Sequence, residues 1–343
     1  MEKIRLGRTD LMVSRVAMGC IPIQRLSRDD AAALVRKAYD SGVNFFDTAH
    51  VYTDSEEKLG HAFAGGLREK VIIASKAMAD SYEQTMEQLE KSLRRLKTDY
   101  LDLYQWHNPA DIKDFQNRRG PYQAMLDAQK AGKVRHIGIT NHHLERAYQA
   151  IRSGAFATLQ FPMSVLSSEN EIELTRECER LDVGFIAMKA MCGGLLADGR
   201  LPFIFLRQYP NIVPIWGIER EAELEQFIEL ERNPEPFREE MREEIERLRA
   251  ELGDEFCRGC GYCLPCPSKI DLPILMRITF FVRRNADGSQ FGENRVKAVD
   301  NIDSCINCRA CVSRCPYHLE VPTILKKQQA GYRKMREEYL SRT

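Results

Sequence analysis

Eight short apolar runs alternate with helix-forming stretches between Val16 and Trp216, and this repeat limits the fold more than any other feature of the chain. The runs are Val16 to Gly19, Val43 to Asp47, Val71 to Ser75, Tyr100 to Trp106, Arg135 to Thr140, Thr158 to Phe161, Val183 to Met188 and Ile212 to Trp216. Each reads as a strand buried on both faces. Start and stop signals fill the intervals. Ser27 with Asp30 opens a helix that Gly42 closes, Ser55 caps the next through Leu59 and Phe63, and Ser81 caps one striped by Met86, Leu89, Leu93 and Leu96. Pro121 and Gly132 bracket a fourth, and residues 143 to 152 form a fifth that stops at Gly154. Eight strands alternating with helices predict an α/β fold, a parallel (β/α)8 barrel. A doubly wound sheet fits less well, because no Gly-x-Gly-x-x-Gly follows any strand. Before the first run, Ile4 to Ser14 alternates around Gly7-Arg8-Thr9-Asp10 and predicts a hairpin closing the bottom of the barrel.

In such a barrel, chemistry sits at the carboxyl ends of the strands. Four polar residues fall there: Asp47 at the end of the second run, Tyr52 five residues on, Lys76 after the third and His107 after the fourth. Taken singly these are ordinary core groups; taken together they form a site. The 343 residues, 43% hydrophobic, leave length for a second unit beside the barrel. Fifty basic and fifty acidic residues cancel, which predicts a small-molecule or protein partner and argues against nucleic acid or a membrane surface. With a polar amino terminus and no apolar run of membrane length, a cytoplasmic location is expected. Eleven cysteines in such a protein point to metal or redox chemistry.

The segments FFDTAHVYTDSE, IIASK, DLYQWH and GITN resemble, in order and spacing, the signature segments of the aldo-keto reductases, over roughly residues 1 to 230. The resemblance implies a TIM barrel that reduces carbonyls or oxidises alcohols with NADP or NAD. It implies Tyr52 as proton donor, Lys76 lowering the phenol's pKa from its usual value near ~10, Asp47 holding the lysine charged, and a neutral His107 orienting the carbonyl oxygen. It also places the nicotinamide carboxamide on Asn141 and Gln160 beside Thr140, which stands where serine is common. Gly193 and Gly194 are expected to let backbone approach the pyrophosphate. Beyond the eighth strand, Gly217 opens a loop in which Glu219 suits a ribose 2'-hydroxyl and Arg220 a 2'-phosphate, leaving NAD against NADP open.

Pro234 to Gly253 reads as a connecting helix with Met241, Ile245, Leu248 and Leu252 on one face. Beyond it lie Cys257-x-x-Cys260-x-x-Cys263-x-x-Cys266-Pro267 and Cys305-x-x-Cys308-x-x-Cys311-x-x-x-Cys315-Pro316. The second run has the spacing of bacterial ferredoxins; the first is one residue shorter. This resemblance implies two 4Fe-4S clusters, one on Cys257, Cys260, Cys263 and Cys315, the other on Cys305, Cys308, Cys311 and Cys266, in a small α-helical ferredoxin-like domain. Zinc is the alternative metal, although structural zinc sites use paired Cys-x-x-Cys. The expected boundaries are 1–232 for the barrel, 233–253 for the connecting helix, and 254–343 for the cluster domain with its tail helix. No flavin signature is present. A redox partner such as ferredoxin could dock on Lys326, Lys327, Arg333, Lys334 and Arg336, though a solvated helix face accounts for them. The alternative to an enzyme is a nucleotide-binding redox sensor. Cys20, Cys178 and Cys192 are expected to be buried and inert.

Overall fold

A computed structural model describes residues 1–112, 117–252, 255–284 and 289–341. The chain divides into two compact units, Met1–Met191 with Asp198–Met241, and Cys192–Ala197 with Arg242–Thr343. The border falls inside a helix, and six residues after the seventh barrel strand group with the carboxyl-terminal unit.

The first unit opens with antiparallel strands β1 (Lys3–Arg5) and β2 (Met12–Ser14), Ile4 facing Val13. Eight parallel strands follow: β3 (Ala17–Gly19), β4 (Phe45–Asp47), β5 (Ile72–Ala77), β6 (Leu101–His107), β7 (Val134–Thr140), β8 (Thr158–Pro162), β9 (Gly184–Met188) and β10 (Ile212–Gly217). They close into a barrel where Trp216 of β10 pairs with Met18 of β3. Helices α1 (Arg28–Asp40), α2 (Ser55–Ala62), α3 (Tyr82–Leu96), α4 (Pro121–Lys130), α5 (Leu144–Arg152), α6 (Glu169–Arg180), α7 (Arg200–Arg207) and α8 (Glu221–Arg232) each follow a barrel strand.

Capping chemistry sets several of these helix starts. The Ser27 hydroxyl accepts from the Asp30 N–H, that of Ser81 from Gln84, and Ser168 forms a capping box with Glu171. Ser55 corrects the sequence reading: it is the first helical residue rather than the cap. Fully buried, its hydroxyl donates to the Cys20 carbonyl at 2.9 Å and contacts the Thr48 hydroxyl at 2.9 Å, tying α2 to the strands beneath.

Strand register sorts the interior into layers. Leu6 and Val13 of the hairpin region pack with Ala17, Phe45, Ala74 and Leu103 as an apolar floor. One pleat higher, inward positions become polar, because Asp47 follows Phe45, Lys76 follows Ala74 and Gln105 follows Leu103 at intervals of two. Gly138 makes room in this layer: a Cβ there would stand 2.2 Å from the Thr158 hydroxyl and 3.1 Å from the Gln105 side chain. A polar cluster therefore sits above an apolar plug, at the carboxyl ends of the strands.

The second unit is helical, with no strand among its described residues. It contains most of α9 (Glu239–Leu252), then α10 (Leu272–Leu275), α11 (Ile278–Arg284), α12 (Glu293–Asp300), α13 (Ala310–Ser313) and α14 (Val321–Leu340). Met241 and Ile245 of α9 are buried, while Gly253 lies outside the described residues. Its core gathers Ile278, Val299, Ile302, Ile324, Leu325 and Tyr332, with five partly buried cysteines packed against it. Along α14, Arg333 bridges Asp300 and Asp303 and Lys327 pairs with Glu255, so those two basic groups already have acidic partners. Among the described residues no helix is long and apolar enough to cross a membrane.

Candidate active site and cysteine centres

Lys76 is the hub of the polar layer. Its Nζ donates to Asp47 Oδ2 at 2.6 Å and to the Thr48 carbonyl at 2.6 Å, and lies 5.0 Å from the centroid of the Tyr52 ring. The Tyr52 ring meets that of His107 edge to face, with centroids 6.1 Å apart and planes at 84°. The four residues picked out at strand ends thus form one constellation. Asp47 and Lys76 are essentially inaccessible, at 2% and 1% exposure, so their charges act through protein rather than water.

Burial alone would depress the Lys76 ammonium, but the Asp47 carboxylate and the Tyr52 hydroxyl outweigh it and hold the pKa above the ordinary lysine value. Burial pushes the Asp47 carboxyl up, and Lys76, Gln160 and Gln105 pull against it. The Tyr52 phenol departs from the sequence expectation. Desolvation raises its pKa by more than Lys76 lowers it, so it keeps its proton at neutral pH. His107 is pushed down to about 3, first by burial and then by the charge of Lys76, and stands neutral. Its Nδ1 is buried without a hydrogen-bond partner among the described residues.

This depressed histidine has a measurable consequence. Unfolded, the imidazole takes up a proton near pH 6.5; folded, it resists down to about 3. The unfolded state therefore binds more protons across that window, and the stability contributed by the neutral form, complete above pH 6.5, is lost as pH falls toward 3. Wild-type protein should lose more thermal stability between pH 7 and pH 5 than His107→Gln, whose side chain cannot titrate. Parallel melting curves for the two proteins would contradict a depressed His107.

The sequence reading missed Gln105. Its amide donates to Asp47 Oδ1 at 3.3 Å and to Gln160 Oε1 at 2.9 Å, while Gln160 Nε2 donates to Asp47 Oδ2 at 3.5 Å. The signal was present in YLDLYQWH, where period-two alternation puts Leu103, Gln105 and His107 on one face. Cys20 also lies here, fully buried, its N–H donating to the Asp47 carbonyl at 2.8 Å; burial drives its thiol far above the usual range.

At the ends of β7 and β8 the polar groups are held in place. The Thr140 hydroxyl accepts from Asn108 N–H at 3.0 Å, and Asn141 donates to the Pro109 carbonyl at 3.3 Å and accepts from His143 N–H at 2.8 Å. Gly217, the last residue of β10, is exposed. Glu219 accepts from Arg25 at 2.5 Å, and Arg220 reaches Glu223 Oε1 through Nε and Nη2 at 3.0 and 2.6 Å. The two opposite charges of this loop are thus each matched within the first unit.

The aldo/keto reductase family model matches residues 15–202, more than half of the chain. The chain belongs to the aldo/keto reductase family. Among its relatives, an uncharacterized oxidoreductase of Bacillus subtilis, YrpG, is 32% identical over 235 residues, covering 59% of this chain and 70% of its own length. The aldo-keto reductase YhdN of the same organism is 28% identical, covering 57% of this chain and 64% of its own length. The solved aldo-keto reductase AKR11C1 of Bacillus halodurans superposes with a TM-score of 0.64 at 20% identity, covering 72% of this chain and 96% of that one, and so shares the fold. Residues 256–320 match a 4Fe-4S dicluster domain, which this aldo-keto reductase carries beyond its barrel.

The two cysteine runs of that domain wrap alike. Gly259 and Gly261 flank Cys260 with φ of 64° and 84°, and Asn307 and Arg309 flank Cys308 with φ of 51° and 59°. Left-handed residues on either side of the central cysteine coil each run, and in the second run they persist without glycine. Burial raises the Cys257 thiol and pushes Cys263 up to about 12, and the neighbouring sulfurs of Cys260 and Cys315 act on both in the same direction. Cys263, Cys266, Cys305, Cys308 and Cys311 all line one concavity. Both runs offer sulfur, the donor chemistry of iron–sulfur centres, and neighbouring thiolates need a cationic centre to coexist.

Gly193 and Gly194 lie in the second unit. The Gly193 carbonyl accepts from Arg277 Nη1 at 2.6 Å, and a Cβ on Gly193 would stand 3.0 Å from the Arg258 carbonyl. The absent side chain at Gly193 thus serves packing against the first cysteine run.

Proposed function

We propose that the barrel reduces a carbonyl, or oxidises the corresponding alcohol, with a nicotinamide cofactor, and that the cysteine sets hold two 4Fe-4S clusters. One observation carries the first part: Lys76 is bonded to Asp47 and lies against a protonated Tyr52 that faces a neutral His107.

The cofactor, when bound, supplies hydride to the carbonyl carbon. Tyr52 gives its proton to the carbonyl oxygen as negative charge develops there. Lys76 stabilises the phenolate left behind, and Asp47, steadied by Gln105 and Gln160, keeps Lys76 charged and aimed. His107, neutral, points a ring nitrogen at the substrate oxygen. Thr140, Asn141 and Gln160 stand where they could hold the nicotinamide carboxamide, and Gly217 and Arg220 where they could meet the ribose. For a 2'-phosphate to use Arg220 it must compete with Glu223, whereas a 2'-hydroxyl need not. The reading predicts that NADH or NADPH is oxidised anaerobically when aldehydes or ketones are supplied; no oxidation across a broad panel would sink it.

The cluster reading predicts brown protein with iron and sulfide for two four-iron centres per chain, after purification without oxygen. Stoichiometric zinc with no inorganic sulfide would refute it. Nicotinamide delivers two electrons as hydride, and each cluster accepts one, so direct exchange needs a two-to-one electron splitter such as a flavin. NADH or NADPH alone should therefore leave the clusters oxidised in flavin-free protein, while dithionite reduces them. Rapid stoichiometric reduction by NADH, followed by absorbance and paramagnetic resonance, would contradict this separation.

A further inference from the structure

Arg277 stands between α10 and α11 and is only 9% exposed. Its Nη1 donates to the Gly193 carbonyl at 2.6 Å, its Nε donates to the Pro273 carbonyl at 2.9 Å, and its Cζ lies 5.1 Å from the Phe281 ring centroid. A Cβ on Gly259 would stand 2.5 Å from Nη2 and 2.6 Å from Cζ, so the guanidinium fills the space beside the Gly259 backbone, between Cys257 and Cys260 in the chain. That approach requires glycine. Among the described residues no carboxylate pairs with Arg277, and its closest partners are neutral carbonyls. A cation buried on carbonyls alone is costly unless negative charge stands nearby; the sulfurs of Cys257 and Cys260 act on it most strongly, and the Asp271 carboxylate acts on it more weakly.

Among the described residues the second cysteine set has no such buried cation. Arg309 is 55% exposed and forks onto both carboxylate oxygens of Glu320 at 2.9 Å, and Arg314 is exposed. Cys308 is exposed as well, beside Ile306 at 68% exposure.

We propose that Arg277 makes the two centres unequal. Its buried charge favours the reduced, more negative state of the centre on Cys257, Cys260, Cys263 and Cys315, so an electron entering at the exposed centre on Cys266, Cys305, Cys308 and Cys311 comes to rest at the first. This rests on both sets holding 4Fe-4S clusters. Each centre takes one electron from a one-electron donor, and no bond or proton need move. At an effective dielectric near 20, a charge several ångströms away changes an equilibrium by about tenfold or more.

The test is a redox titration of anaerobically purified full-length protein with dithionite, followed by paramagnetic resonance. In wild type, the two centres should differ at least tenfold in reduced-to-oxidised ratio at a common potential, about 59 mV for one electron. Arg277→Gln should cost the more readily reduced centre about tenfold and leave the other within about twofold, whereas Arg277→Lys, which keeps the charge, should move it by less than about threefold. Equal shifts of both centres, or none, would overturn the assignment. Should Arg277→Gln fail to fold, Cys266→Ala decides: the centre that survives intact should be the more readily reduced one, and survival of the harder to reduce overturns the proposal. Wild-type protein without iron and sulfide would fell the cluster reading along with it; two clusters of equal potential would fell this inference alone.

Discussion

Tyr52→Phe is expected to slow carbonyl reduction by about 10²–10⁴-fold, the usual contribution of a positioned general acid, while leaving the dissociation constant for NADH or NADPH within about threefold of wild type. The substitution removes one oxygen and keeps the ring, so the edge-to-face contact with His107 and the approach of Lys76 to the ring face survive. What disappears is the proton that must reach the substrate oxygen as charge develops there. An interaction made only in the transition state lowers kcat and kcat/KM together, and a drop confined to KM would place Tyr52 in substrate binding instead. The raised pKa of the phenol adds a pH signature. In the reduction direction the rate should hold from neutral pH upward and fall only when Tyr52 finally loses its proton. Turnover at the wild-type rate would mean that the proton comes from another group.

The barrel was legible in the sequence because several helices carry their own punctuation. Ser27 and Ser81 bond the helix N–H groups for which their positions select them, and Gly42, Gly132 and Gly154 take positive φ where the chain must turn back. The four strand-end residues were legible because each interrupts or follows an apolar run with a group that burial penalises. What stayed hidden depends on contacts between distant residues. Gln105 reads as one polar residue inside a strand until register sets it against Asp47, 58 residues earlier. Gly193 reads only as a glycine open to a phosphate until Arg277, 84 residues later, is found bonded to its carbonyl as well. The phenol's direction of shift was hidden for another reason: the residue types supply the lysine, but only the fold supplies the depth of burial that outweighs it. The short first cysteine run is ambiguous by spacing alone, and both Cys263 and Cys266 stand in the wall of the concavity lined by Cys305, Cys308 and Cys311.

Lys76→Met should abolish carbonyl reduction as severely as loss of the phenol, and unlike Tyr52→Phe it should also weaken the fold. Methionine fills the aliphatic path of the lysine but leaves the Asp47 carboxylate, 2% exposed, facing only the weak amide bonds of Gln105 and Gln160. Removing one member of a buried ion pair typically costs about 3–5 kcal/mol, because the other charge remains desolvated. In the variant the carboxyl's folded pKa lies above its unfolded value near ~3.9, so it is tolerated while protonated, below that value, and stability is lost as pH rises through the folded pKa. The gap between Lys76→Met and wild type should therefore widen from pH 4 toward pH 8 in thermal or urea unfolding. Adding Asp47→Asn should restore much of the stability, since the stranded charge is gone, and should restore none of the activity, since the ammonium beside Tyr52 is still missing. Stability that stays low in the double variant would assign the loss to packing around residue 76. Activity that returned in it would show that the ammonium has no part in the proton transfer.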